Sequence, residues 1–114
     1  MKVAVVGSRS FNDYEKMINV LDKINITELV TSGAKGADTL AQQYAESKGI
    51  PVKLFLPLHQ TDPSVKYHVK WFFVRNVELV NYSDHVVAFW NGLSKGTKHT
   101  VDYAKSQGKP VTIP

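Results

Sequence analysis

Residues Val3-Ala4-Val5-Val6 form an unbroken apolar run, mostly β-branched, that ends at Gly7. A strand with one wet face alternates apolar and polar side chains. A run without alternation has to be covered on both faces, as strands are in a parallel sheet flanked by helices. Similar short runs return at Glu28-Leu29-Val30-Thr31, Val52-Lys53-Leu54-Phe55-Leu56, His85-Val86-Val87-Ala88-Phe89 and Pro110-Val111-Thr112-Ile113. The proline that starts the last run suits an edge position. Between the runs lie apolar positions of helical period: Tyr14, Met17, Ile18, Leu21 and Ile24, then Ala37, Leu40, Ala41, Tyr44 and Ala45. A third helix is predicted over 64–80, with Val65, Val69, Phe72, Phe73, Val77 and Val80 on one face, and a fourth ends near Gln107-Gly108. Asn12 or Asp13 supplies a cap for the first helix, and Gly49 with Pro51 stops the second. Strands alternating with helices predict an α/β chain: a single three-layer Rossmann-like domain over 1–114, with a five-stranded parallel sheet, about four helices and right-handed crossovers.

Composition narrows the function classes. Apolar residues at 43 % and charged ones at 21 % describe a soluble globular chain, and the absence of cysteine excludes a disulfide framework, a thiolate metal site and a thiol nucleophile. The net charge of +4 is spread along the sequence without a polybasic block, so no nucleic-acid-binding arm is present. The apolar run at the N-terminus is too short for a signal peptide or a membrane span, which makes the cytoplasm the expected location and a membrane partner unexpected.

In a sheet of this kind, ligands bind beyond the carboxyl ends of the strands. Three loops meet there: Gly7-Ser8-Arg9, Ser32-Gly33-Ala34-Lys35-Gly36-Ala37-Asp38, and Trp90-Asn91-Gly92-Leu93-Ser94-Lys95-Gly96-Thr97. Each joins glycine to a small hydroxyl residue. Glycine-rich turns that open onto helices present backbone N–H groups and the positive helix end to an anion, typically a phosphate. Arg9, Lys35 and Lys95 either meet that anion or are simply solvated. The loops do not match the dinucleotide fingerprint, since the first holds one glycine where three are needed, nor the P-loop, since no Gly-Lys-Ser/Thr follows Gly33 or Gly36. Proline-flanked Pro57–Pro63 is expected to be a surface loop near the site. On the third helix Asn76 falls within the apolar face, where it either ties down a loop backbone or touches ligand. Arg75 flanks it, paired with Glu78 or Glu15 or aimed at the strand edge. Trp90 either stacks on a base or packs locally. The histidines, His59, His68, His85 and His99, are scattered and lack metal-ligand spacing, so neither a metal nor a cofactor is expected.

Taken together, Gly7-Ser8-Arg9 with Phe11, Ser32 to Asp38, Arg75-Asn76, Ser83-Asp84 and Phe89-Trp90-Asn91-Gly92-x-Ser94-x-Gly96-Thr97 resemble the YspA-like proteins. These belong to the SLOG superfamily, which also holds the LOG enzymes and DprA. The resemblance runs through nearly the whole chain and implies a Rossmann-like fold that binds a nucleotide or nucleotide-derived small molecule at the three loops. Against the LOG pattern, Arg75 matches an arginine, Ser83-Asp84 a Ser-Asp pair and Gly96-Thr97 a Gly-Thr pair. The LOG glutamate, which works with that arginine in cleaving an N-glycosidic bond, falls on Thr100. A hydroxyl does not replace a carboxylate in that chemistry. Candidate catalytic residues are therefore Arg75 and Asp38, with Asp102 the other remaining acid. A sensor, carrier or sequestering protein is the leading expectation, and an N-glycoside or phosphoribosyl hydrolase with a rearranged acid the alternative. DprA-like contact with nucleic acid is expected to be weak at most, and Trp71 is a candidate for a homo-oligomer contact.

Overall fold

Strand β1 (Lys2–Gly7) takes the centre of a five-stranded parallel sheet in the computed structural model, which describes all residues 1–114. The other strands are β2 (Glu28–Thr31), β3 (Val52–Leu54), β4 (His85–Phe89) and β5 (Val111–Thr112), in the spatial order β3-β2-β1-β4-β5. Val3 lies opposite Leu29 on one side and His85 on the other, and Gly7 pairs with Phe89. The order reverses between β1 and β4. Five helices complete the fold: α1 (Tyr14–Leu21), α2 (Ala37–Lys48), α3 (Leu58–Thr61), α4 (Lys70–Tyr82) and α5 (Lys95–Ser106).

The unbroken run in β1 is divided between two cores, as its composition requires. Val3 and Val5 join Leu29, Met17, Leu21, Ala41 and Ala45 under α1 and α2. Ala4 and Val6 face the opposite way, onto Leu79, Val80, Val101 and Ala104 of α4 and α5. Successive side chains of a strand point to opposite faces, so only apolar residues at every position satisfy both layers. The edge strand β3 has no second neighbour, and all three of its residues are exposed.

Helix ends follow local chemistry. The Asp13 carboxylate accepts the Lys16 amide at 3.0 Å to open α1, and Gly49 closes α2 in the left-handed region at φ 67°. The stretch 57–69 differs from expectation in two ways. It contains the short α3, and the helix foreseen from residue 64 begins only at Lys70. Side chains compete with the helix here. The Asp62 carboxylate accepts both the Ser64 amide (2.9 Å) and the Ser64 hydroxyl (2.7 Å), and His68 Nδ1 accepts the Lys70 amide at 3.0 Å. No helix is long and apolar enough to cross a membrane.

Candidate functional site

Ser8 ties the three loops together where the strand order reverses. Its amide donates to the Phe89 carbonyl at 3.1 Å, its hydroxyl accepts the Asn91 amide at 3.0 Å, and its carbonyl accepts the amides of Phe11 (3.1 Å) and Ala37 (3.3 Å). The backbones are close enough to demand glycine. A Cβ at Gly36 would collide with the carbonyl oxygens of both Ser8 and Arg9, and one at Gly7 with the Phe89 carbonyl and the Ala37 methyl. Gly36 also sits at φ 78°, in the left-handed region.

The loop after β4 is organised by its own side chains. Asn91 Oδ1 accepts the amides of Leu93 (2.8 Å) and Ser94 (3.0 Å), and Trp90 Nε1 donates to the Ser94 carbonyl at 3.0 Å. Ser94 caps α5, its hydroxyl accepting from the Thr97 amide at 3.4 Å and the Thr97 hydroxyl at 3.2 Å. At N1 and N2 of the helix, the amides of Lys95 and Gly96 lie beyond reach of any intrahelical acceptor.

Helix α4 supplies the opposite wall. Arg75 points at the strand edge, donating through Nη1 to the carbonyls of Ser32 (3.4 Å) and Phe55 (3.5 Å) and through Nε to Asn76 Oδ1 at 3.0 Å. It makes no ion pair with Glu78 or Glu15; the ion pairs are Lys48–Asp22 and Lys98–Asp102. A guanidinium only donates, so Asn76 turns its oxygen to Arg75 and its NH₂ toward the Gly96 carbonyl (3.5 Å) and His99 Nδ1 (3.3 Å). Asn76 thus fastens α4 to the first turn of α5.

Asp38, in the first turn of α2, is 2 % exposed. Its carboxylate turns back to accept the Ser32 amide (3.1 Å) and the Ser32 hydroxyl. Burial pushes its pKa above the ordinary carboxylate value, against the Ser32 hydrogen bonds and the nearby Arg75 charge. Burial likewise lowers the pKa of Arg75, opposed by Asp38. Asp102 sits apart, in an exposed ion pair with Lys98 at 2.6 Å that holds its pKa low.

These walls enclose a cavity of about 400 Å³. Gly7, Arg9, Ser32, Ala34, Asp38, Arg75 and Asn76 line it, with Ser94, Gly96 and Thr97 from the third loop. The other singled-out residues shape the loops without lining the cavity. Ser8 and Gly36 hold the crossing of backbones, Asn91 and Trp90 brace the third loop, and Gly33, Lys35, Gly92 and Lys95 are exposed around it. Thr100, at the position that matches the LOG glutamate, does line the cavity, and its hydroxyl donates to the Gly96 carbonyl at 3.2 Å. Val6, Val69, Phe72 and Phe73 also line it, although their sequence pattern marks them as core. The only available signal is spacing, since Val69, Phe72 and Phe73 precede Asn76 by seven, four and three residues on one helix face.

The model of the YspA, cpYpsA-related SLOG family matches residues 1–60, more than half of the chain. The chain belongs to this SLOG family. Its matched half carries β1, β2 and the first two glycine loops. Among solved structures, DNA processing protein A (DprA) from Streptococcus pneumoniae superposes with a TM-score of 0.80 at 24 % identity, over 99 % of this chain and 50 % of that one. DprA from Helicobacter pylori, whose structure is described for its single-stranded DNA binding mode, gives 0.75 at 22 % identity, over 97 % and 63 %. The protein TM1055 gives 0.68 at 22 % identity, over 96 % and 71 %. The SLOG chain therefore spans half to two thirds of the DprA chains, and at these identities the likeness is one of fold. No curated protein matches it significantly.

Proposed function

We propose that this SLOG chain binds a nucleotide or nucleotide-derived small molecule, as a sensor, carrier or sequestering protein. The observation that carries the reading is the cavity at the point of strand reversal. It joins Arg9, a cation free of any ion pair, and the open first turn of α5 to a floor of hydroxyls and amides, beside an apolar wall. Phosphate suits the first pair of features, and a sugar or base suits the others. Thr100, where a LOG enzyme carries glutamate, supports retention of the ligand over its cleavage. Calorimetry against mononucleotides, cyclic nucleotides and ADP-ribose is expected to give saturable heat with at least one of them. Arg9→Ala is expected to weaken that binding about tenfold or more, the scale of a charge-assisted hydrogen bond. Absence of heat across the panel would remove the reading.

One observation favours a second reading, an N-glycosidic hydrolase. Asp38 is a carboxyl group at the cavity that burial holds toward its protonated form, as a general acid requires. Its proton would pass to the departing base as water adds to the sugar, yielding free base and a sugar phosphate. Incubation with nucleoside monophosphates, followed by chromatography for free base, tests it; recovery of intact nucleotide throughout rejects it.

The DprA likeness supports a further comparison with single-stranded DNA. The chain's dispersed positive charge favours weak, salt-sensitive association only. Trp71 borders a second groove with Leu56, Leu58 and Val74, joined by Thr61, Arg75 and Glu78, and its apolar part supports self-association.

A further inference from the structure

Val69, the N-cap of α4, and Phe73 and Asn76 within the helix form one stripe, spaced four and three residues apart. Their exposure falls along the stripe, from 52 % at Val69 to 38 % at Phe73 and 7 % at Asn76. All three line the cavity. The wall therefore grades from an open apolar rim to a closed polar floor. We infer that this rim is a nucleobase subsite, with Phe73 as its stacking platform and Val69 beside it.

The inference rests on the nucleotide reading and adds to it an orientation and a chemical class. The phosphate end takes Arg9 and the glycine loops, and a flat aromatic ring takes the rim. Phe73 and Phe72 differ in a way that selects the former. Phe72 also lines the cavity but is partly buried and already has neighbours on its ring, with His59 and Tyr67 edge-on at 5.3 and 6.1 Å and the Arg75 guanidinium 5.7 Å from its ring centre. Phe73 has one aromatic neighbour, His99, at 4.7 Å and an interplanar angle of 76°. That neighbour is itself bonded to Asn76, and Asn76 to Arg75. The platform is thus held in place by the same chain of contacts that builds the polar floor, so little ordering remains to be done on binding. A large apolar ring left half-open beside such a floor exposes area to water that a flat ligand would cover. A bare sugar phosphate would leave the rim wet.

The test compares AMP with ribose 5-phosphate by calorimetry on the intact protein, with UMP as a smaller ring. Stacking on one aromatic side chain is expected to make AMP about tenfold tighter than ribose 5-phosphate, with UMP between them. Phe73→Ala is expected to bring the AMP to ribose 5-phosphate ratio toward unity, and Phe73→Trp to restore it. At 38 % exposure Phe73 is not a core residue, so both variants are expected to fold, which thermal melts check. Equal affinity for AMP and ribose 5-phosphate in the unaltered protein would overturn the base subsite and leave phosphate binding standing. A fall of both affinities by the same factor in Phe73→Ala would assign Phe73 to positioning and overturn it as well. Failure of AMP, UMP and ribose 5-phosphate to bind would overturn this inference, and absence of heat with cyclic nucleotides and ADP-ribose as well would remove the nucleotide reading itself.

Discussion

Gly36→Ala is expected to lower stability by about 3 kcal/mol or more, seen as a fall in Tm on the order of 10 °C, and to abolish ligand binding. Two costs add at this position. At φ 78° an alanine is strained wherever it is placed, which accounts for about 1 kcal/mol. The larger cost is steric. The new methyl would run into the carbonyl oxygens of Ser8 and Arg9, which are backbone atoms with no rotamer to change. Relief requires the first two loops to separate, which breaks the 3.3 Å hydrogen bond from the Ala37 amide to the Ser8 carbonyl and displaces Arg9. Gly92→Ala is the matched control. It has nearly the same dihedral, φ 80°, with nothing within 4 Å of the added methyl, and is expected to cost only about 1 kcal/mol. Thermal melts of the two variants check the comparison, and equal losses would show that the crossing of loops has room to spare.

Asp38→Asn is expected to change how stability depends on pH. Burial raises the pKa of Asp38 above the ordinary value of 3.8. A group raised by folding contributes stability that is fully present below its unfolded pKa and is lost as pH rises through its folded value. Above that folded value the native protein holds a charged carboxylate in a buried place, compensated in part by Ser32 and Arg75. Asparagine keeps an oxygen for the Ser32 amide and carries no charge. The variant should therefore melt higher than the parent near pH 8, and the difference should shrink as the pH is lowered toward 4. A lower melting point for Asp38→Asn at pH 8 would mean that the Asp38 charge is worth more to Arg75 than its burial costs. Under the hydrolase reading the same substitution also stops base release, because an amide N–H is far too weak an acid to protonate the departing base.

The difference between Phe72 and Phe73 shows where sequence reasoning reached its end. Both fall on the apolar side of one helix, and both read as core. In the structure both line the cavity, but Phe72 is packed by His59, Tyr67 and Arg75, while Phe73 stands half-open at its rim. Periodicity reports which face of a helix turns inward, and the inward face of α4 is part core and part cavity wall. Asn76 was legible as an anomaly for that reason, since a polar residue in an apolar stripe needs a partner. Its partners, Gly96 and His99, lie 20 and 23 residues further along.

The sequence by itself determined the layered α/β architecture, the doubly buried central strand, and the loops that share one sheet edge. These follow from local rules, namely burial on two faces, helical period and glycine turns, which act within a few residues. The tertiary structure decided which loop residues face the cavity and which only hold the loops in place. It chose the strand edge over a surface ion pair for Arg75, raised the pKa of Asp38 above that of an ordinary acid, and delayed α4 behind the turns at Asp62 and His68. The cavity lining, Arg75 and Asp38 depend on burial or on partners distant in sequence, whereas the late start of α4 comes from side-chain hydrogen bonds between residues two apart, which helical period does not register.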